Sequence, residues 1–268
     1  MVIDFHTHIF PDKIASGAIE SLKNNAKGGK YNVTNYTDGT LKGLMASMDK
    51  NGVDISIVLP VATSPRQTES INNFAQTVRD ERVISFGGIH PLNENCDKIL
   101  EDLKKRGFKG IKLHPEYQSV NIDSPESIKI LQKAEALGLY CVVHAGIDVG
   151  IKPPLHCAPK QLKNVLNYVS GKYIIAAHMG GFDMFDEVEE VLVGTDIYFD
   201  TAAICKMIKK EQFERIIKNH GSEKILFATD SPWGDAKEYL EIVRNLDITQ
   251  EEFDNITYKN GLKIIYDE

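Results

Sequence analysis

The sequence predicts a (β/α)8 TIM barrel, an α/β fold, that occupies residues 1–268 as a single domain. Eight short apolar runs alternate with longer segments of helical periodicity, which is the element order of α/β folds. Barrels of this type typically need about 250 residues. An open, doubly wound sheet normally has a glycine-rich phosphate turn after its first strand, and His-Thr-His-Ile-Phe-Pro stands there instead. The sequence therefore favours the closed barrel.

The predicted strands are short runs rich in β-branched and aromatic residues. Several of them, such as Tyr140–Val143, are apolar without a break, which is typical of parallel strands covered on both faces. The eight predicted strands are Val2–Phe5, Ile55–Leu59, Val83–Gly87, Gly110–Leu113, Tyr140–Val143, Tyr173–Ala177, Ile197–Phe199 and Ile225–Ala228.

Helical segments separate these strands, and some carry clear start signals. Ser124 before Pro125 is an N-cap followed by proline at the first helical position, and Thr249–Glu252 reads as a capping box. A polar stretch from Gly28 to Thr40 is predicted to be a long loop at the catalytic face, and thus a candidate lid. Predicted helices include Thr68–Arg79, Cys96–Lys105, Ser124–Leu137, Pro159–Val169, Glu211–Asn219 and Ala236–Leu246.

Composition narrows the classes of function. The formal net charge of −7, from 31 basic and 38 acidic residues, disfavours a nucleic-acid partner. No apolar stretch approaches the ~20 residues that cross a membrane, so we expect a cytoplasmic protein with no membrane partner. The four cysteines show neither zinc-knuckle nor disulfide spacing. A homo-oligomer is compatible with the sequence.

Five polar residues stand at or directly after predicted strands. His6 and His8 are spaced i and i+2 on the first strand, so their side chains should share a face, with Asp4 on that face too. His144 and His178 follow the fifth and sixth strands, and Asp230 follows the eighth. The carboxyl ends of barrel strands converge on one mouth, where active sites of this fold are built. The pattern predicts a shared site for a divalent metal.

The same motifs resemble those of the amidohydrolase superfamily. The resemblance rests on Asp4–His8, the strand-5 His144, the tetrad His178–Gly181 and the run Thr229–Trp233. Asn260-Gly261 near the end of the chain supports it as well. The nearest likeness is to the branch that contains aminocarboxymuconate-semialdehyde decarboxylase and its hydrolase relatives.

This resemblance implies a set of metal ligands and catalytic residues. His6, His8, His144 and Asp230 would surround a divalent ion, expected to be zinc and a single ion rather than two. His178 would be a further ligand or an acid/base. Imidazole and carboxylate ligands suit zinc, which lowers the pKa of bound water to about 7. Asp230 would then accept a proton from that water.

Three further residues are candidates for substrate binding. Lys112 and His114 lie on one face of the fourth strand, and Arg66 follows the second strand. Lys112 has three interpretations, which are a carboxylated lysine bridging two metals, a cation for a substrate carboxylate, and an ion-paired barrel lysine. We favour the last two over carboxylation.

The leading functional prediction is a metal-dependent hydrolase of a small carbonyl compound, such as an amide, ester or lactone. A metal-dependent, non-oxidative decarboxylase of an unsaturated or aromatic carboxylic acid would use the same residues. A phosphodiesterase like the TatD-type nucleases ranks third. Those enzymes place a bridging glutamate where this chain has Lys112 and His114. In every case the partner is a small molecule, and a carboxylate would suit Lys112.

Overall fold

Parallel strands follow one another around the molecule in chain order. The structure is a computed structural model that describes residues 1–27, 30 and 33–266. The third strand is interrupted at Phe86, so its two pieces share one label. The strands are β1 (Ile3–Thr7), β2 (Ile55–Val58), β3 (Val83–Ser85 and Gly87–Gly88), β4 (Gly110–Leu113), β5 (Tyr140–Val143), β6 (Ile174–Ala176), β7 (Tyr198–Asp200) and β8 (Ile225–Leu226).

Hydrogen bonds between the first strand and the residues directly after the last strand close the ring. Consecutive strands pair in parallel from β1 to the first piece of β3, and from its second piece to β8. The Phe5 N–H donates to Phe227 O over 2.9 Å, and the Asp230 N–H donates to His6 O over 2.9 Å. The predicted barrel is thereby confirmed. That residues 1–268 form one domain stays a prediction.

The helices lie between the strands, and several begin at the predicted caps. Ser124 Oγ accepts the Ser127 N–H, and the capping box of Thr249 and Glu252 is present. The helices are α1 (Asp12–Ala26), α2 (Leu41–Asn51), α3 (Thr68–Thr77), α4 (Cys96–Lys105), α5 (Pro115–Gln118), α6 (Pro125–Ala136), α7 (Pro159–Val165), α8 (Phe185–Val191), α9 (Lys210–His220), α10 (Ala236–Arg244), α11 (Gln250–Asp254) and α12 (Asn260–Tyr266).

The apolar core has an inner and an outer layer. Ile57 of β2 and Ile175 of β6 belong to one buried cluster although their strands lie far apart around the ring, so this cluster fills the barrel interior. Phe5 and Phe86 meet in it edge to face, with ring centroids 5.9 Å apart. A larger cluster packs the outer face of the strands against the helices. The packed barrel therefore holds the carboxyl ends of its strands in fixed positions.

The candidate lid includes residues 28, 29, 31 and 32, which lie outside the described residues. Farther along that segment, the Tyr36 N–H donates to Pro232 O over 2.7 Å. The cysteines are free and buried. Within the described ranges, no helix combines the length and apolar character that spanning a membrane requires.

Candidate metal centre

Three predicted ligands converge at the carboxyl ends of β1 and β8. The Nε2 atoms of His6 and His8 lie 3.1 Å apart. Asp230 Oδ1 lies 3.4 Å from His6 Nε2 and 3.2 Å from His8 Nε2. His6 is buried, while His8 and Asp230 keep 18% and 16% of their side-chain surface exposed. The three groups therefore form a site that a small molecule can reach from the mouth.

The neighbours of these histidines determine where their protons lie. His6 Nδ1 lies 2.8 Å from Asp200 Oδ2, and His8 Nδ1 lies 2.8 Å from the Leu59 carbonyl oxygen. Both partners are acceptors, so each neutral ring carries its proton on Nδ1. The two Nε2 lone pairs and the Asp230 carboxylate then point at one another. Such a set of acceptors fits a divalent cation, and carboxylate or carbonyl support behind a ligating histidine is usual in metal sites.

Electrostatics keep the donor set in the forms that bind a metal. Burial lowers the pKa of His6 well below its usual value, with Lys112 acting in the same direction. Burial alone would raise the pKa of Asp230, but its close contacts with His8 and the other nearby histidines lower it to about 2. At neutral pH, His6 is therefore a neutral imidazole and Asp230 is a carboxylate.

Strained backbone marks two of the predicted site residues. Asp230 has φ +64° and His178 has φ +58°, which is the left-handed region that non-glycine residues seldom occupy. Such conformations cost roughly 1–3 kcal/mol and cluster at functional sites. The strain is thus consistent with a functional constraint on both side chains.

Lys112 extends from β4 into the same site. Its Nζ lies 3.2 Å from His6 Nε2, and the side chain is buried. Burial lowers the pKa of Lys112 to about 8, and the charges of Asp200 and Asp230 oppose that shift. The amine therefore lies where it can contact a ligand of the centre.

A second group of polar side chains lies beside the first, at the ends of β4 and β5. His114 and His144 stack with centroids 4.1 Å apart and planes at 10°. Asp148 Oδ2 lies 3.6 Å from His114 Nε2 and 4.0 Å from His144 Nε2. Burial lowers the pKa of both histidines well below the usual value and raises that of Asp148 to about 6.

His178 connects the two groups. Its Nδ1 lies 2.9 Å from the Ala202 carbonyl oxygen, and its Nε2 lies 3.0 Å from His144 Nδ1. Its ring centroid is 5.4 Å from that of His6. Of the five predicted ligands, three thus form one group, His144 faces the second, and His178 lies between them. The roles of all five as metal ligands, and of Asp230 and His178 in catalysis, stay predictions.

Some predicted residues lie elsewhere. The pairing of β1 with β2 shifts register between Asp4 and Thr7, and the Asp4 carboxylate binds Thr229 rather than joining the histidine pair. The Asp4 carboxylate is therefore engaged by Thr229 and does not contact the two imidazole rings in a described bond. Arg66 is exposed on the 3-10 turn Pro65–Gln67, and no described hydrogen bond or ion pair joins it to either group. Its role in substrate binding stays a prediction.

The sequence reasoning missed two carboxylates. Asp200 supports His6 and also accepts the N–H groups of His178 and Ala202 over 2.9 and 3.0 Å. The sequence could have indicated Asp200, because it is the last residue of β7 and the other site residues also lie at the ends of their strands. Asp148 lies in the loop after β5, and no local pattern distinguishes it.

Comparison with protein families gives the chain its classification. The model of the amidohydrolase family matches residues 3–265. The chain belongs to the amidohydrolase family. It is accordingly an enzyme of the amidohydrolase superfamily, whose chemistry depends on a divalent metal. A search among curated proteins gave no significant match.

Solved structures share the fold of this amidohydrolase at low sequence identity. A 5-carboxyvanillate decarboxylase from Novosphingobium aromaticivorans, complexed with manganese, has a TM-score of 0.72 at 12% identity, covering 99% of this chain and 96% of its own. A dihydroxybenzoic acid decarboxylase from Polaromonas with bound manganese gives 0.67 at 13%, with coverage of 98% and 96%. A probable 2-pyrone-4,6-dicarboxylic acid hydrolase from Acinetobacter baumannii, with citric acid bound, gives 0.65 at 16%, with 98% of both chains covered.

Proposed function

We propose that this amidohydrolase is a metal-dependent hydrolase of a small carbonyl compound, such as an amide, ester or lactone. One observation carries the proposal. Three ligand atoms, from His6, His8 and Asp230, converge at the barrel mouth within 3.4 Å of one another. They form a cation site open to a small substrate.

The donor set also bears on the identity of the ion. We propose a single ion per chain, held by His6, His8 and Asp230. Two imidazole nitrogens and a carboxylate suit zinc, and they suit manganese less well. Manganese is nevertheless bound in two of the similar structures. Zinc is therefore our first choice and manganese the alternative.

Each side chain of the site would have its own role in hydrolysis. When bound, the ion would polarise the carbonyl group and lower the pKa of water. The ionised Asp230 carboxylate accepts the proton of the attacking water at its oxygen. The Lys112 amine can pair with a substrate carboxylate or with negative charge that develops on the reacting oxygen. The proton that Asp230 accepts can then pass from its oxygen to the leaving group, while His178 is held in place by its Nδ1–H bond to the Ala202 carbonyl oxygen.

A decarboxylase is the second candidate, and two observations favour it. Several structures of the same fold are decarboxylases of aromatic acids. Lys112 is buried beside the site with a pKa of about 8, so its ammonium form is available to bind a carboxylate or donate a proton to carbon. The residues of the centre serve either reaction.

One experiment separates the two candidates. The metal-loaded enzyme is incubated in ¹⁸O-labelled water with a library of small esters, lactones, amides and unsaturated or aromatic acids. Hydrolysis places one label in the acid product and releases no carbon dioxide. Carbon dioxide release without label in the remaining organic product would reject the hydrolase and support the decarboxylase.

A further inference from the structure

Tyr117, on the short helix after β4, has a hydroxyl group with no hydrogen-bond partner among the described residues. Its backbone N–H donates to His114 Nδ1 over 3.3 Å, which fixes the main chain, but the phenol oxygen takes part in no such bond. The side chain is only partly exposed. The hydroxyl group of a partly buried tyrosine usually has a partner, because leaving a polar group dry and unpaired costs free energy. The hydroxyl group of Tyr117 is therefore available to a ligand.

The contacts of this side chain place it at the mouth of the barrel. The Tyr117 ring packs against the ring of His114, with centroids 4.2 Å apart and planes at 47°, and His114 directly follows the carboxyl end of β4. The Tyr117 hydroxyl oxygen lies 3.6 Å from the position that a Cβ atom on Gly150 would take, on the loop after β5. The side chain therefore reaches from the end of one strand to the loop of the next, at the end of the barrel where substrates bind.

The surroundings of the hydroxyl group determine which ligand atom suits it. Burial raises the pKa of Tyr117, and the negative charges of Asp148 and Asp230 act in the same direction. At neutral pH the phenol therefore keeps its proton and can donate it in a hydrogen bond. The Asp148 carboxylate, on the neighbouring loop, would repel a second anion at this position. A neutral oxygen atom is therefore the better acceptor.

Further contacts hold together the two segments that carry Tyr117 and Gly150. Glu116 of α5 accepts the His156 N–H over 2.7 Å and the Cys157 N–H over 3.2 Å, and it lies 2.9 Å from His156 Nδ1. Glu116 directly precedes Tyr117, so these bonds join the helix that carries the tyrosine to the loop after β5. The hydroxyl group is therefore held in position before a substrate binds, which reduces the entropy lost on binding.

We propose that Tyr117 is a specificity-determining residue whose hydroxyl group donates a hydrogen bond to a neutral oxygen atom of the substrate. That oxygen belongs to a second carbonyl group, of a ketone, ester or amide, separate from the group that reacts at His6, His8 and Asp230. The substrate class is then a small carbonyl or carboxyl compound that also carries an uncharged carbonyl group. This inference rests on the proposed function, because the metal would hold the reacting end of the substrate.

The test compares keto acids with fatty acids of the same length on the metal-loaded enzyme. Dissociation constants are measured by calorimetry for 4-oxopentanoate against pentanoate and for 5-oxohexanoate against hexanoate, because the two pairs place the ketone oxygen at different distances from the carboxylate. For at least one pair, Tyr117→Phe should weaken binding of the keto acid about fivefold, the value of a neutral hydrogen bond, and leave the fatty acid unchanged. Tyr168→Phe, which removes an exposed hydroxyl group beyond the end of α7, is the matched control and should change neither.

The outcomes distinguish this contact from a structural role and from the metal centre. Metal content and the urea midpoint should be the same in Tyr117→Phe and the wild type, because the hydroxyl group binds no residue in the described ranges. If Tyr117→Phe binds both keto acids as tightly as the wild type does, or loses affinity equally for the fatty acids, the inference is wrong. A wild-type enzyme that carries metal but binds none of these acids also overturns it. A wild-type enzyme that binds no metal would reject the proposed function, and this contact with it.

Discussion

Hydrogen-bond partners, more than proximity, suit His6 and His8 to the proposed cation site. Asp200 and the Leu59 carbonyl oxygen each accept a hydrogen bond from an Nδ1–H group, which leaves both Nε2 atoms as acceptors. The His-x-His spacing could be recognised in the sequence, but the tautomers could not. They depend on partners that are more than fifty residues away, and only the folded chain brings these together.

Asp230→Asn tests the proton transfer at the residue scale. The amide preserves size but has no basic oxygen, so turnover should fall by about 10²–10⁴-fold. Part of the metal should remain, because His6 and His8 still bind it. Turnover and metal content are measured on the same preparation. Near-wild-type turnover would show that Asp230 is a passive ligand, and His178 would become the first candidate for the base.

Lys112→Met tests the charge at the end of β4. Removal of the amine from beside His6 should reduce kcat/KM for a carboxylate-bearing substrate by about 10–100-fold, which is the usual value of a charged hydrogen bond. A neutral ester of the same substrate should lose less. Lys112→Arg keeps the charge and serves as the comparison. An equal loss for both substrates would reject carboxylate recognition.

At the scale of elements, the sequence predicted the regular parts closely and the loops poorly. The predicted bounds of Gly110–Leu113, Tyr140–Val143 and Cys96–Lys105 agree with the structure, because apolar periodicity and caps are local signals. The path of the loop after β5 is set instead by Glu116, which lies on a different element. Asp148 therefore could not be found from its own neighbours in sequence.

Glu116→Ala should weaken the tie between the β4 and β5 loops. Alanine offers no acceptor, so the His156 N–H and the buried Cys157 N–H are left unsatisfied. The free energy of unfolding, measured with urea, should fall by about 1–3 kcal/mol. Glu126→Ala, at an exposed position of α6, is the control and should change it by less than about 0.5 kcal/mol. Equal stability of the two variants would contradict a structural role for Glu116.

His220 at the end of α9 should make stability depend on pH. Its Nδ1 accepts the Gly194 N–H and its Nε2 donates to Ile197 O, and burial lowers its pKa from 6.5 to about 4. The stabilisation of the folded state by the neutral His220 ring is thus complete above pH 6.5 and is lost as the pH falls toward 4. Over that interval, unfolding free energy should fall by about 3 kcal/mol more in the wild type than in His220→Gln. Parallel pH profiles would refute this.

At the scale of the whole molecule, barrel closure creates the site. His6 near the start of the chain and Asp230 near its end come within 3.4 Å because the residues directly after β8 hydrogen-bond to β1. The sequence predicted this convergence from the order of eight strands. It could not predict how the five site histidines, which lie on or directly after β1, β4, β5 and β6, are arranged in two groups, because that depends on ring orientations.

The metal content of a double variant tests the central claim most directly. Wild-type enzyme should carry one divalent ion per chain by elemental analysis, and His6→Ala/His8→Ala should carry none and be inactive. Circular dichroism should show that the barrel is still folded. His156→Ala, which changes a histidine outside both groups, is the control and should keep its metal. Full metal occupancy in the folded double variant would contradict the account.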